Sequence, residues 1–324
     1  MTATPAAPPV DLSNLREAQA GLRGIARVTP MVESAALSRA AGVPVFLKAE
    51  HLQPIGAFKL RGAYTALRRL SAEARARGVV THSSGNHGIA VSWAARELGL
   101  RATVVVPADA PAVKIDAIRA NGAELILIAD RAEREPTTQR LIAERGLSFV
   151  PPFDHPDVLA GQGTVGLEIV EQRPDVATVV VPVSGGGFLG GVATAVHALR
   201  PATRIYGAEP EGAAKLTAAL KAGQPSRIAT PRSMADGLLS PSVGQVPFQQ
   251  MRGTVTGALV VSEDAIGSAV RFLWEQQGWR VEPSGATAVA AVRSHPGPLA
   301  GPVVVVVSGG NVDPALFSAL TGVA

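Results

Sequence analysis

A lysine heads an apolar stripe in the segment "PIGAFKLRGAY", residues 54–64. If a helix begins just after Gly56, four residues share one inward face at helical spacing, namely Lys59, Ala63, Ala66 and Leu70. The polar residues that we expect to point elsewhere are Arg61, Thr65, Arg68 and Arg69. Lys59 could extend from the first turn to water. Alternatively, burial and the helix dipole lower the pKa of its ammonium and make it a nucleophilic amine.

Three glycine-rich turns follow strand-like runs or open helices. They are "SSGNHG" (83–88), "SGGGFLGG" (184–191) and "SGGN" (308–311). In a parallel α/β sheet such turns lie at the carboxyl ends of strands, where ligands bind. Glycine lets backbone N–H groups approach an anion, and a helix N-terminus favours negative charge. Three such turns in one chain favour a phosphorylated ligand.

The second turn also satisfies a dinucleotide-binding pattern. Residues 185–190 read G-x-G-x-x-G, and Glu209 stands 19 residues after Gly190, at the end of the next predicted strand. A nicotinamide-dependent dehydrogenase is therefore an alternative, although it leaves Lys59 and the other two turns without a role. A cofactor with one phosphate, one aldehyde and one aromatic ring would use every feature. Pyridoxal 5′-phosphate has these groups.

Short β-branched runs alternate with longer amphipathic stretches along the chain. The predicted strands lie at 43–50, 79–82, 102–107, 124–128, 177–183, 204–209 and 302–308. Several of them are apolar throughout, as expected where both faces of a sheet are covered. The pattern predicts an α/β protein with mainly parallel sheets.

The β/α units fall into two groups separated by the proline-rich segment "VPPFDHPD" (150–157), which we interpret as a crossing between domains. We expect residues 1–10 to be a flexible tail. A large cofactor-binding domain would comprise 11–67 and 152–324, and a small domain, 77–148, would be inserted in it. The long irregular stretch 224–248 suggests a functional loop region.

Composition excludes several kinds of site. The 324 residues contain no cysteine, which removes thiolate zinc sites and a cysteine nucleophile, and the six histidines lack metal-ligand spacing. A net charge of +4 and 4% aromatic residues argue against nucleic acid as a partner. No apolar run reaches membrane-spanning length and the first residues lack the regions of a signal peptide. We therefore expect a cytoplasmic protein that does not bind membranes.

Six motifs occur in order at familiar separations: "GAFKLRGA", "SSGNHG", "AGQGT" (160–164), "SGGGF", "EPSGA" (282–286) and "SGGN". From about residue 14 to 318 the chain resembles the serine/threonine dehydratases and serine racemases of the fold-type II pyridoxal-phosphate enzymes. The resemblance implies two open, mainly parallel twisted-sheet domains of the tryptophan-synthase-β type. The cofactor would lie in the cleft between them.

The resemblance also implies roles for individual residues at the cofactor. Lys59 corresponds to the Schiff-base lysine, and Phe58 packs near the cofactor ring. Asn86 resembles the residue that binds the 3-oxygen of the ring, and Ser308 the partner of its nitrogen. Glu282, in "EPSGA", is included in the cofactor-binding set. The phosphate loop is formed by Ser184, Gly185, Gly186, Gly187 and Phe188, with serine where the family usually has a glycine.

For the substrate, a small hydroxy amino acid, the resemblance implies that its carboxylate is held by Ser83, Ser84, Asn86 and His87. Asp236, Gly237 and Ser240 would approach it from the segment 236–240, and we include Ser240 among the substrate-binding residues. The implied activity is that of an ammonia-lyase, which converts L-threonine or L-serine to a 2-oxo acid and ammonia.

Two alternatives within the family depend on particular residues. Serine racemases carry a serine at the position of Ser84, where it acts as a second catalytic acid or base on the face opposite the lysine. Ser84 could instead be an ordinary helix-cap serine. An L-threo-3-hydroxyaspartate dehydratase would need an arginine for a second carboxylate, and the candidates are Arg131, Arg134 and Arg140. A β-replacement synthase is disfavoured by the histidine of "SSGNHG".

Some relatives bind a divalent cation through a carboxylate that would be Glu209 here. The second acidic position, six residues later, is Lys215. Since a lysine is a poor ligand for Mg²⁺, we expect no metal, and we expect Lys215 to pair with Glu209 or Glu211 or to lie at the surface. By resemblance alone, we expect a homodimer or a higher homo-oligomer. No appended regulatory domain is expected.

Overall fold

Two β-sheets form the framework of the computed structural model, which describes residues 9–110, 112–295, 297 and 299–323. The strands are β1 (Met31–Glu33), β2 (Val45–Lys48), β3 (Val79–His82), β4 (Ala102–Pro107), β5 (Glu124–Ile128), β6 (Ser148–Phe149), β7 (Thr178–Pro182), β8 (Arg204–Pro210), β9 (Gly257–Val261) and β10 (Val303–Val306).

Helices cover the faces of both sheets. They are α1 (Leu12–Gly21), α2 (Ala35–Ala41), α3 (Lys59–Arg68), α4 (Ala72–Arg77), α5 (Asn86–Glu97), α6 (Ala112–Ala120), α7 (Arg134–Arg145), α8 (Pro156–Gln172), α9 (Gly187–Leu199), α10 (Lys215–Ala222), α11 (Gln245–Met251), α12 (Glu263–Gln277), α13 (Pro283–Ser294) and α14 (Pro314–Thr321). Short 3₁₀ turns occupy Glu50–Leu52, Arg131–Glu133, Glu211–Ala213 and Asp236–Leu238.

The larger sheet has the order β1-β2-β10-β7-β8-β9 and is parallel except for β1, which pairs antiparallel with β2. The smaller sheet, β5-β4-β3-β6, is entirely parallel. The predicted α/β class with mainly parallel sheets is confirmed. The smaller sheet is formed by the chain between β2 and β7, as an inserted unit would be. The domain boundaries 11–67, 77–148 and 152–324 stay a prediction.

The larger sheet is buried on both faces. All four valines of β10 are fully buried; Val303 and Val305 pack with α12 and α13, whereas Val304 and Val306 pack on the opposite face with α8 and α9. This two-sided burial explains why the strand is apolar at every position.

Helices α3 and α8 approach each other at their backbones. A Cβ added to Gly161 of α8 would lie 2.3 Å from the carbonyl oxygen of Arg61, and one added to Gly62 of α3 would lie 2.7 Å from that of Val158. The glycines of "AGQGT" therefore allow the close contact that fixes the first turns of α3, where Lys59 lies.

Arg61 belongs to a buried charge cluster with Lys48, Glu50 and Glu168. Its guanidinium lies 2.8 Å from a Glu50 carboxylate oxygen and 2.7 Å from one of Glu168, which is also 2.5 Å from the Lys48 ammonium. Arg61 is only 1% exposed, and Thr65 is buried as well, so the expectation that both point away from the interior was wrong. Two cations and two carboxylates balance, which allows the burial.

The expected tail is only partly within the structure, since residues 1–8 lie outside the described part. Val10 does not belong to a flexible tail, because it is buried and packs in a cluster with Leu15 of α1 and Leu159 of α8. In the described part of the chain, no helix combines the length and the apolar character needed to cross a membrane.

Candidate active site

Lys59 is the first residue of α3, and its half-buried side chain reaches the segment that follows β6. The Lys59 Nζ donates a 2.6 Å hydrogen bond to the carbonyl oxygen of Pro152. Burial lowers the pKa of Lys59 to about 8. Among the described residues, no carboxylate forms an ion pair with it. An uncompensated amine of this kind is a stronger nucleophile at neutral pH than a surface lysine.

The segment 150–153 forms one wall of the site through its backbone and one ring. His87 Nε2 lies 3.0 Å from the Val150 carbonyl oxygen, and the Phe153 ring covers the second glycine-rich turn. A Cβ added to Gly185 would lie 2.2 Å from that ring. The sequence indicates only a crossing between domains at "VPPFDHPD". Contacts of carbonyl groups leave no side-chain pattern, so the sequence could not reveal this second role.

The second glycine-rich turn lies beside Lys59. The rings of Phe58 and Phe188 stack with centroids 3.8 Å apart and an interplanar angle of 11°. Gly186, at φ +88°, precedes α9, and no side chain among the described residues caps this helix. Its first backbone N–H groups are therefore free of a side-chain acceptor and can bind an anion.

The third glycine-rich turn is hydrogen-bonded to the loop that leads into α3. The Phe58 N–H donates to the Ser308 carbonyl oxygen at 3.1 Å, and the Gly310 N–H donates to that of Gly56 at 2.8 Å. Asn311 Nδ2 donates to the Ile55 carbonyl oxygen at 2.9 Å. These bonds place Ser308 and Lys59 on neighbouring segments. Asn311 was not among the predicted site residues.

Asn86 connects the first and third turns through Glu282. Asn86 Nδ2 donates to Glu282 Oε1 at 2.6 Å, and Asn311 Nδ2 donates to Asn86 Oδ1 at 2.7 Å. Glu282 is 3% exposed, and burial, reinforced by the negative charge of Asp236, raises its pKa to about 7. The structure thus brings together the predicted residues Phe58, Lys59, Asn86, Ser184–Phe188, Glu282 and Ser308.

The predicted substrate-binding residues differ from one another in burial and in their hydrogen bonds. Ser83 Oγ accepts from the Gly85 N–H at 3.3 Å, and Ser84 is half-buried. Gly85 is the N-cap residue of α5, so the helix-cap interpretation of Ser84 was wrong. The ring of His87 is buried, and burial and the charge of Lys59 lower its pKa to about 3, so it is neutral. Ser240 Oγ donates to the Ser242 carbonyl oxygen at 2.6 Å, so its hydroxyl hydrogen bond stays within its own loop.

A charged pair connects the two sheet units near this site. Lys114 of α6 donates to the carboxylate of Asp236, in the 3₁₀ turn Asp236–Leu238. The Lys114 side chain is buried, whereas that of Asp236 is exposed. The pair could not be predicted from the sequence because its partners are 122 residues apart. The candidate arginines for a second carboxylate, Arg131, Arg134 and Arg140, are all exposed.

Lys215 differs from both of its predicted arrangements. It is fully buried, and its Nζ donates to the carbonyl oxygens of Ala213 and Leu238 at 2.7 and 2.8 Å. The Glu209 carboxylate instead accepts from the N–H groups of Leu216 and Thr217, both at 2.8 Å. Pairing with a carboxylate and a surface position were therefore both wrong. No group of three or more His, Cys, Asp or Glu side chains suited to a metal ion occurs among the residues that the structure describes.

Comparison with known proteins agrees with the site. The family model described as "Pyridoxal-phosphate dependent enzyme" matches residues 22–309. The L-threonine ammonia-lyase of Thermotoga maritima is 39% identical over 94% of this chain and 76% of its own length. Maize serine racemase superposes with a TM-score of 0.90 at 36% identity, covering 95% of both chains. The T.th. threonine deaminase does so with a TM-score of 0.87 at 40% identity, covering 94% of this chain and 99% of that one.

These matches confirm the resemblance and the cofactor deduced from the sequence, and they leave no support for the nicotinamide-dependent alternative. The matched region contains Lys59, Asn86, the turn 184–188 and Ser308. The chain belongs to the family of pyridoxal-phosphate dependent enzymes.

Proposed function

We propose that this enzyme is an ammonia-lyase that converts L-threonine and L-serine to a 2-oxo acid and ammonia by α,β-elimination. The observation that carries the proposal is the Lys59 amine, which contacts the neutral Pro152 carbonyl. Lys59 directly follows Phe58, whose ring stacks on that of Phe188 and whose N–H donates to the Ser308 carbonyl oxygen. The likeness to the L-threonine ammonia-lyase of Thermotoga maritima supports this choice of substrate class.

The residues present fit pyridoxal phosphate at both ends of the molecule. The uncapped start of α9 and the left-handed Gly186 suit a phosphate, with Ser184 as a further hydroxyl donor. Phe188, the last residue of this turn, stacks its ring on that of Phe58. When bound, the cofactor supplies an aldehyde for an amine and a conjugated ring that accepts an electron pair from Cα.

Lys59 would hold the cofactor and then act as the base. Its pKa of about 8 leaves a fraction of the amine neutral at pH 7, so the freed Lys59 Nζ can remove the Cα proton of the substrate. The start of α5, with Ser83, Ser84 and Asn86, would orient the substrate carboxylate through N–H and hydroxyl groups. His87 would contribute its backbone N–H, because its neutral ring contacts Val150.

Ser308 would determine which outcome is favoured. We assign its hydroxyl to the cofactor nitrogen, following the family resemblance. A neutral hydroxyl cannot stabilise a protonated nitrogen as a carboxylate would, so negative charge at Cα is poorly accommodated. Loss of the β-hydroxyl then competes well with return of the proton. Elimination is therefore favoured over inversion.

Racemisation is the second candidate, and the observation that favours it is Ser84. This half-buried hydroxyl does not cap α5, so it is available as a second acid or base. Dehydration of L-threo-3-hydroxyaspartate has less support, because Arg131 pairs with Asp109 at the surface and Arg134 and Arg140 are exposed. The proposal also includes a cytoplasmic location. It includes a homodimer or higher homo-oligomer as well, and light scattering of the purified protein would test this oligomeric state.

The test is release of 2-oxo acid by the purified holoenzyme from L-threonine, L-serine, their D forms and L-threo-3-hydroxyaspartate. Rapid release from L-threonine and L-serine is expected, and K59A should lose both turnover and the colour that borohydride fixes to the protein. If K59A retained fixed cofactor, the role of Lys59 would be refuted. If only hydroxyaspartate reacted, the proposed substrate class would be wrong.

A further inference from the structure

Lys215 is a fully buried lysine that the proposed mechanism does not use. Its Nζ donates to the Ala213 carbonyl oxygen at 2.7 Å and to the Leu238 carbonyl oxygen at 2.8 Å. Burial lowers its pKa to about 8, and the negative charge of Glu209 opposes that shift. The side chain therefore carries a positive charge at neutral pH, inside the protein.

The Lys215 ammonium contacts two carbonyl oxygens and lies near the Glu209 carboxylate. Glu209 is fully buried at the end of β8, and its carboxylate accepts from Leu216 N–H and from Thr217 N–H and Oγ, at 2.7 to 2.8 Å. The start of α10 thus binds one carboxylate, with the Lys215 charge nearby. A buried charge is tolerated when it is compensated and hydrogen-bonded in this way.

The contact with Leu238 extends the influence of Lys215 to the candidate active site. Leu238 ends the 3₁₀ turn Asp236–Leu238, which carries Asp236 to Lys114 on the other sheet unit. In the same turn the Gly237 N–H donates to Ser284 Oγ at 2.9 Å, and Ser284 lies two residues after Glu282. Lys215 is therefore bonded to a turn that also contacts the first turn of α13, next to Glu282.

We propose that Lys215 is a positioning residue: its ammonium is an internal cation that holds the turn 236–238 in place for the substrate, through the Leu238 carbonyl. The inference rests on the proposed function, because it assigns the turn to the substrate side of the site. Asp236 and Ser240, two residues to either side of Leu238, are placed by the same contact.

The test compares three holoenzyme variants: K215M, which keeps the packing volume but cannot donate; K215D; and K221M, an exposed lysine of the same helix, as control. Trypsin cleavage after the exposed Arg232 reports opening of the segment without any substrate. K215M should be cleaved at least about tenfold faster than the parent. Its kcat/KM for L-threonine should fall about 10- to 100-fold. K221M should stay within about twofold of the parent in both measurements.

K215D provides a second test of the proposal, which remains available if K215M does not fold. The introduced carboxylate, Glu209 and the two carbonyl groups would form an all-oxygen site for a divalent cation. In EDTA, K215D should be cleaved as fast as K215M, and MgCl₂ should restore resistance, whereas the parent enzyme should not respond to either. Equal cleavage of K215M and the parent, or of K215D in EDTA and the parent, would overturn the proposal. Because cleavage needs no turnover, it stays informative if L-threonine is not a substrate.

Discussion

Asn86 Nδ2 lies 2.6 Å from Glu282 Oε1, and this hydrogen bond joins the start of α5, on the four-stranded sheet, to the start of α13, on the six-stranded sheet. A carboxylate at this place is costly, because Glu282 is only 3% exposed and faces the negative charge of Asp236. The fold therefore favours the protonated acid up to about pH 7.

The first prediction concerns the pH dependence of stability. The pKa of Glu282 is about 7 in the folded protein and near 4.5 when unfolded, so the folded state binds more protons between these values. Stability from this group is complete below pH 4.5 and is lost as the pH rises through 7. Relative to E282Q, the cofactor-free parent should lose about 2 kcal/mol in urea unfolding between pH 5 and pH 8. A stability difference independent of pH would refute this assignment.

His51 should lower the stability of the folded protein at acid pH, whereas Glu282 lowers it at alkaline pH. It is buried against Trp279, with ring centroids 4.6 Å apart, and neither ring nitrogen has a partner among the described residues. Burial lowers its pKa from 6.5 to about 4, so the unfolded chain binds the extra proton. Stability is then lost as the pH falls from 6.5 towards 4.

H51Q removes this titration. Between pH 7 and pH 5 the parent should lose about 2 kcal/mol more than H51Q in urea unfolding. The control is H197Q, at an exposed position of α9. An equal acid response of the parent and H51Q would show that His51 is not the sensitive group.

The buried charge cluster should be needed for stability. R61L removes one cation and leaves the carboxylates of Glu50 and Glu168 with Lys48 alone, so unfolding should become easier by about 3–5 kcal/mol. R68A, an exposed change in the same helix, should alter stability by less than about 0.5 kcal/mol. Similar values for both variants, measured by chemical denaturation, would contradict the cluster's assigned role.

Gly185 should be required because the Phe153 ring leaves no room for a side chain there, and not because of its backbone conformation. The added methyl group of G185A would overlap the Phe153 ring, at 2.2 Å, and displace the turn proposed to hold phosphate. Affinity for pyridoxal phosphate, measured by fluorescence titration of the cofactor-free protein, should fall at least about tenfold. The double variant G185A/F153A should recover most of the loss. Failure of the second change to restore affinity would mean that Phe153 is not the obstacle.

Much of the framework could be predicted because its signal is local. The strands predicted at 79–82, 102–107 and 124–128 agree with the structure, since each is a short apolar or β-branched run. Three strands were not predicted: β1 and β6 are short and lack such runs, and β9 was missed although it contains the apolar run "ALVV". The stripe headed by Lys59 was visible because helical spacing connects residues three and four apart.

The rest could not be read from the sequence because it depends on distant partners. The burial of Arg61 follows from Glu168, which is 107 residues away, and that of Lys215 follows from backbone carbonyl groups. A charged residue on a helix is ordinarily solvated, and only the folded chain reveals its compensation. The Pro152 carbonyl that accepts from Lys59 likewise has no signature in residue type.

The most direct test of the proposed function is the ratio of oxo-acid release to inversion for L-serine, measured in one reaction by chiral analysis of the remaining substrate. We predict that pyruvate and ammonia form while the remaining serine stays almost entirely in the L form. Inversion faster than release would contradict the account. It would make Ser84, rather than Ser308, the residue that decides the reaction.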